Sequence, residues 1–246
     1  MFPIRDHNPS ERRPFVTYAL IAINITIFVS YWPIMDDPQA LSTFWDMWAM
    51  RPIEIANGID GYTLVTSMFL HGGIMHLLGN MLFLWIFGDN LEDQMGHFVF
   101  LLFYVVCGVG ASLGQVMADP NSPIPTVGAS GAIAGIMGGY LLLFPRAKVD
   151  ILFIIVIIFK VIPVPAWLML GVWMALQVFN GLTVDGSGGG VAYWAHAGGF
   201  VVGFILCIPL WIRRGAWTYW TRTKGHPPHP EARYRLSTVP VVGRTK

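Results

Sequence analysis

Ser130 sits in the run Val127-Gly128-Ala129-Ser130-Gly131-Ala132-Ile133-Ala134-Gly135. A turn-rich stretch, Asp119 to Thr126, precedes it, and an apolar segment from Ala132 to Phe144 follows, ending at Pro145. The pattern puts Ser130 at a loop-to-helix junction, where free backbone N–H groups and the positive end of the helix dipole gather. A nucleophilic hydroxyl with an oxyanion site beside it belongs in such a place. The stretch also has a packing reading. Gly131, Gly135 and Gly139 recur at intervals of four, and small residues so spaced, serine among them, let membrane helices touch.

A serine nucleophile needs a base. Histidines inside apolar segments are costly and are functional suspects for that reason; His71, His76 and His196 qualify. His196 lies in Trp194-Ala195-His196-Ala197-Gly198-Gly199-Phe200, with Ala195, Gly199 and Gly203 again spaced by four. Two such stripes bring the Ser130 and His196 helices close together. Both residues lie near the same end of their segments, the arrangement for a hydroxyl–imidazole hydrogen bond. The plainer alternative is a histidine satisfied by a backbone carbonyl at a helix interface. His76 and Asn80 are four apart and share a helix face; two side-chain donors so placed can hold an oxyanion. His71 lies five before His76, about 140° round a helix, so the two make a poor metal pair. A His-Glu-x-x-His motif is missing from the chain, and so is an aspartate in the middle of a span, which weakens metalloprotease and aspartyl-protease readings. Asp89, Glu92 and Asp93 read as cap or turn residues.

The elements that must position these side chains are membrane spans. Of 246 residues, 54% are hydrophobic and only 12% charged, about half the charge of a soluble domain. The net charge of +1 gives no reason to expect a nucleic-acid partner. Cys107 and Cys207 fall inside apolar segments and read as packing residues rather than a disulfide or metal pair. The first residues show no cleavable-signal pattern. Apolar runs predict six spans, at about residues 15–32, 69–87, 97–117, 130–144, 165–179 and 192–212, in an all-α polytopic bundle. The division is an arm over 1–13, a six-helix domain over 14–212, and a tail over 213–246 expected to be disordered. Residues 34–66, rich in aromatics and too polar to span, read as an ordered interfacial loop. Ile151–Phe159 is too short to span and reads as an interfacial or re-entrant piece.

The fourth span is short. From Ser130 to Phe144 it rises about 22 Å against a hydrocarbon core of about 30 Å. Ser130 should therefore lie below the membrane surface, in a hydrated pit, since irregular backbone at that depth needs protein or water around it. Six spans leave 14 of the 15 Lys/Arg residues on one side with both termini. The positive-inside rule makes that side cytoplasmic and opens the pit outward.

Three motifs together resemble the rhomboid family of intramembrane serine proteases: His71-Gly72-Gly73-Ile74-Met75-His76-Leu77-Leu78-Gly79-Asn80, Gly128-Ala129-Ser130-Gly131, and Ala195-His196-Ala197-Gly198-Gly199. The stretches Gly88–Asp93 and Leu141–Arg146 look like bacterial-type members, which points to a bacterial inner membrane. The resemblance implies Ser130 as nucleophile and His196 as general base, without an acidic third member. It implies an oxyanion hole of His76, Asn80 and the Ser130 N–H, with Gly128 and Ala129 binding substrate and His71 in a structural role. It implies transmembrane protein substrates, cut near the outer edge of their spans, and a fifth helix and glycine-rich cap (183–191) that move to admit them. Neither cofactor nor metal is expected, and the partners are substrates and lipid. Two departures stand out: Tyr62-Thr63 replaces the Trp-Arg often found before the second span, and Ala134 stands where some members stack a tyrosine on the histidine. A catalytically silent relative that binds transmembrane clients is the alternative function.

Overall fold

The computed structural model describes residues 2–155, 158–184, 190–232 and 234. It is a mostly helical bundle with one small sheet. The chain runs β1 (Phe2–Asp6), α1 (Phe15–Tyr31), α2 (Pro38–Trp48), α3 (Pro52–Ala56), α4 (Thr63–Thr66), α5 (Ile74–Met95), α6 (His97–Ala118), α7 (Ser130–Leu143), β2 (Lys148–Ile155), β3 (Ile158–Pro165), α8 (Ala166–Thr183), α9 (Tyr193–Arg213) and α10 (Trp217–Thr223). Among the described residues five helices, α1 (with the turn after it), α5, α6, α8 and α9, are long and apolar enough to cross a membrane; α7 is apolar but shorter. The centre of the glycine-rich cap, residues 185–189, lies outside the described set.

α7 is the axis of the bundle: 12 of its 14 residues are buried. Its closest neighbour is α9, and the approach requires glycine. A Cβ on Gly199 would meet the Gly131 carbonyl, with the carbon at 2.9 Å and the oxygen closer, and Gly203 abuts the Gly135 carbonyl in the same way. Both cysteines are free and buried in this core, Cys107 under Gly135 and Cys207 against Gly139. With backbones in contact, many weak dispersion contacts accumulate.

The second long helix is displaced from its apolar run. It starts at Ile74, not near residue 69, because Gly72 and Gly73 precede it and His71 lies in the connecting loop. It continues through Gly88–Asp93 to Met95, so Asp89, Glu92 and Asp93 are helical rather than turn residues. Several polar side chains there bond to the N-terminal segment. Glu92, 1% exposed, accepts from the Val16 and Thr17 backbone N–H groups at 2.8 Å and the Thr17 hydroxyl at 2.7 Å. Those are orphan donors of the first turn of α1, which Pro14 ahead of it cannot cap. His97, the first residue of α6, also contacts Glu92, so one carboxylate staples three helices. Asn90 donates to the Asn8 carbonyl, and Asp93 accepts from Arg12 N–H.

The described residues of the segment read as interfacial or re-entrant, 151–155 and 158–159, belong to the antiparallel strands β2 and β3, which β1 extends into a three-stranded sheet. The physical reason is local: a run of β-branched residues too short for a spanning helix satisfies its backbone by pairing with the next such run. Residues 156 and 157, between the strands, lie outside the described set. Asp150 fastens the sheet, accepting from Arg5 at 2.7 Å and hydrogen-bonded to His7 at 2.8 Å. Burial pushes its carboxyl up, but these partners outweigh that and hold it below the usual carboxylate range. The Tyr140 hydroxyl donates to Asp6 at 2.7 Å, pinning the far end of α7 to β1.

The described part of the tail is ordered, contrary to expectation. Trp220 donates to the Leu142 carbonyl at 3.0 Å, Tyr219 is 1% exposed, and Ala232 N–H bonds to the His7 carbonyl. A count of charges and prolines overlooks the aromatics that let this segment pack beneath α7. Most of 233–246 lies outside the described residues. The loop over 34–66 folds as short helices. Tyr31 packs on Phe44 and Trp45, Tyr62 donates to the Met47 carbonyl at 2.7 Å, and Arg51 pairs with Asp46 and donates to the Pro123 carbonyl.

Candidate active site

α7 begins at Ser130, and the turn into it is shaped by Gly128, whose φ of 128° lies where L side chains are strained. A Cβ at Gly128 would also sit 2.8 Å from His76 Nε2. The turn is tied to the segment before α5 by a bond from Gly128 N–H to the Ser67 carbonyl, and the loop ahead of it pairs with the first long loop through Met50 and Thr126.

The structure brings Ser130 Oγ to 2.8 Å from His196 Nε2. α9 presents the histidine from its first turns, where Gln115 of α6 accepts the Ala195 N–H at 3.2 Å. His76 and Asn80 line the same cavity as Ser130 and His196, a space of about 660 Å³ bounded also by Gly128 and Gln115. The geometry of His76 fixes its tautomer. Its Nδ1 receives the Gly72 N–H at 3.3 Å, and a backbone N–H can only donate, so the ring proton is on Nε2, on the side facing Gly128. Asn80 is 8% exposed, and its Nδ2 has no partner among the described residues. Two side-chain donors, His76 Nε2–H and Asn80 Nδ2–H, therefore line the cavity without an acceptor among the described residues.

His71 is held apart from Ser130. Its backbone N–H and carbonyl both bond to the Tyr31 hydroxyl, and its buried ring meets that of His76 edge-on at 5.0 Å. Among the described residues no group of three His, Cys, Asp or Glu side chains is placed to hold a metal.

Two side chains at the site are not legible in the motifs. Trp173 and Gln177, one helical turn apart on α8, both contact His196: the indole faces the imidazole at 5.7 Å between centroids, inclined by 32°, and Gln177 Oε1 lies 2.8 Å from Nδ1. Ala134, one turn after Ser130 in α7, is fully buried. The spacing of four between Trp173 and Gln177 in a span was the available signal, but neither residue type marks chemistry by itself.

A family model described as a Rhomboid domain matches residues 60–213. The chain belongs to the rhomboid family. Among curated relatives, RHOMBOID-like protein 4 of Arabidopsis thaliana is 32% identical over 178 residues, 72% of this chain and 41% of that protein. Rhomboid protease GluP of Bacillus subtilis is 36% identical over 129 residues, covering 52% and 24% of the two chains. Putative rhomboid protease YdcA of the same organism is 31% identical over 125 residues, covering 50% and 62%. This rhomboid thus covers less than two thirds of the length of each of these relatives. The match embraces every helix that lines the cavity, from α5 to α9, and leaves α1 and the sheet's first strand outside.

Proposed function

We propose that this rhomboid is an intramembrane serine endopeptidase in which Ser130 is the nucleophile and His196 the general base. The observation that carries the reading is the 2.8 Å contact between Ser130 Oγ and His196 Nε2, in a cavity that His76 and Asn80 also line. Ser130 Oγ attacks the carbonyl carbon of the scissile bond as its proton passes to His196 Nε2. The oxyanion that forms accepts from His76 Nε2–H, Asn80 Nδ2–H and the Ser130 N–H at the start of α7. Collapse breaks the C–N bond, and His196 returns the proton to the leaving amine. Water, activated by the same imidazole, then hydrolyses the ester. Loss of one oxyanion donor typically costs about 3 kcal/mol of transition-state stabilisation.

The substrates in this reading are transmembrane proteins cut near the extracytoplasmic edge of their spans, with Gly128 and Ala129 binding the substrate backbone. The short α7 supports it, since 14 residues rise only about 21 Å and leave Ser130 below one face of a core of about 30 Å. Cytoplasmic termini rest on the positive-inside sorting. They are supported by β1, the β2–β3 hairpin and the described tail gathering at the end of the bundle opposite Ser130. A bacterial inner membrane rests on the resemblance of Gly88–Asp93 and Leu141–Arg146 to bacterial-type members. With an amide rather than a carboxylate beside His196 Nδ1, turnover should be slow.

The test is labelling with a serine-reactive fluorophosphonate, alongside cleavage of a transmembrane substrate. Wild type should label and cleave, and Ser130→Ala and His196→Ala should do neither. Labelling of Ser130→Ala at the wild-type level would remove the nucleophile from the reading. A wild type that folds but neither labels nor cleaves would favour the client-binding alternative.

A further inference from the structure

The bonds around His196 form a chain with one fixed end. Gln177 Nε2 donates to the Trp173 backbone carbonyl at 3.2 Å. A carbonyl oxygen can only accept, so the amide cannot be flipped without losing this bond, and Oε1 must face His196. Oε1 can only accept as well, so His196 Nδ1, 2.8 Å away, must carry its proton. The lone pair of the neutral ring is then on Nε2, where the Ser130 hydroxyl lies.

We propose, on the protease reading above, that Gln177 is a positioning residue that holds His196 in the Nδ1–H tautomer and ties this setting to the seat of α8. It takes the orienting place that an aspartate takes in a Ser-His-Asp triad, but without a charge. The helix that carries it is the least embedded of the five long helices. Of its 18 residues only Ala166, Leu170 and Gln177 are buried, along one face, while Trp167, Val172, Leu176, Phe179 and Leu182 point outward. Gln177 is the last buried residue of that row, at the end of α8 nearest Ser130. Tilting this end of α8 away from α9 removes the acceptor from Nδ1 and the indole of Trp173 from the ring together. The base is therefore set for Ser130 when α8 is seated and loses its restraint when α8 swings out.

The experiment compares wild type, Gln177→Met and Gln177→Glu in detergent by fluorophosphonate labelling rate, by kcat and KM on a cleavable transmembrane substrate, and by the imidazole nitrogen-15 signals of His196. Methionine fills the same space with only the weak acceptor of a thioether. Gln177→Met should label roughly 10- to 100-fold more slowly, a part of the 10²–10⁴ that general-base catalysis contributes. The loss should fall in kcat rather than KM, and His196 should become a mixture of tautomers. Gln177→Glu, which restores an oxygen facing Nδ1, should recover most of the rate. Wild-type labelling and a wholly Nδ1–H His196 in Gln177→Met would overturn the proposal. So would an Nε2–H tautomer in the wild type itself, a measurement that needs no variant to fold. Undiminished labelling of Ser130→Ala sinks the protease reading instead, so the two failures are distinguishable.

Discussion

Replacing Gly199 with alanine should separate the two halves of the site while leaving every reacting group chemically intact. The new Cβ would lie 2.9 Å from the Gly131 carbonyl carbon and closer still to its oxygen. Apolar carbons rest about 3.5–4.0 Å apart, so the carbon contact alone forces α7 and α9 apart by about 0.6–1.1 Å. Gly131 adjoins Ser130, and Gly199 is less than one turn from His196, so most of that displacement reaches the 2.8 Å hydroxyl–imidazole contact. It becomes roughly 3.4–3.9 Å, at or past the limit of a hydrogen bond. A misplacement of about 1 Å costs on the order of 10²-fold in rate, and overpacking a well-filled interface costs about 1–3 kcal/mol in stability. Gly171→Ala is the matched control. Gly171 lies in α8 with nothing within 4 Å of the place a methyl group would take, so alanine there should be neutral or stabilising by about 0.5–1 kcal/mol. Fluorophosphonate labelling and thermal melting of both variants in the same detergent read the two effects. A Gly199→Ala protein that labels within twofold of wild type and melts with Gly171→Ala would refute the reasoning that backbone contact at this crossing sets the site.

Asn80→Ala should lower kcat by roughly 10²–10³-fold and change KM little, because its free amide is assigned to an oxygen that is charged only in the transition state; a change confined to KM would count against that role. Glu92→Gln turns an amide N–H₂ toward N–H donors of α1 and should cost about 1–3 kcal/mol, seen as a lower melting temperature and earlier proteolysis of the N-terminal helix. Asp150 gives a pH dependence of known sign. Its carboxyl is held below the usual range by His7 and Arg5 against the opposing pull of burial. Its contribution is therefore present above the unfolded value, about 3.9, and is lost as pH falls through the lower folded value. Melting in the acid range should show a slope that Asp150→Asn removes, with a loss at neutral pH of no more than about 1 kcal/mol, since Arg5 is partly exposed. An unchanged acid slope would mean that the sheet is fastened elsewhere.

The sequence alone determined the class of the molecule and the residues that could do its chemistry. Long apolar runs admit few fates, and a serine or histidine inside them is costly enough to be noticed, which is why Ser130, His196, His76 and Asn80 stood out. Glycines at intervals of four named the crossing of α7 and α9, because only residues without a side chain allow backbones to touch. The family resemblance supplied roles for these residues, not geometry. Other features depended on partners far away in the chain, where periodicity carries no information. Gly88–Asp93 is helical with Asn90, Glu92 and Asp93 bonded to the N-terminal segment, Ile151–Ile155 pairs with β3, and Trp220 finds its acceptor on Leu142. The restraint on His196 is of the same kind. A tryptophan and a glutamine four apart in a lipid-facing span look like filling until the fold lays them on an imidazole from another helix, because a hydrogen bond is decided by where both ends are.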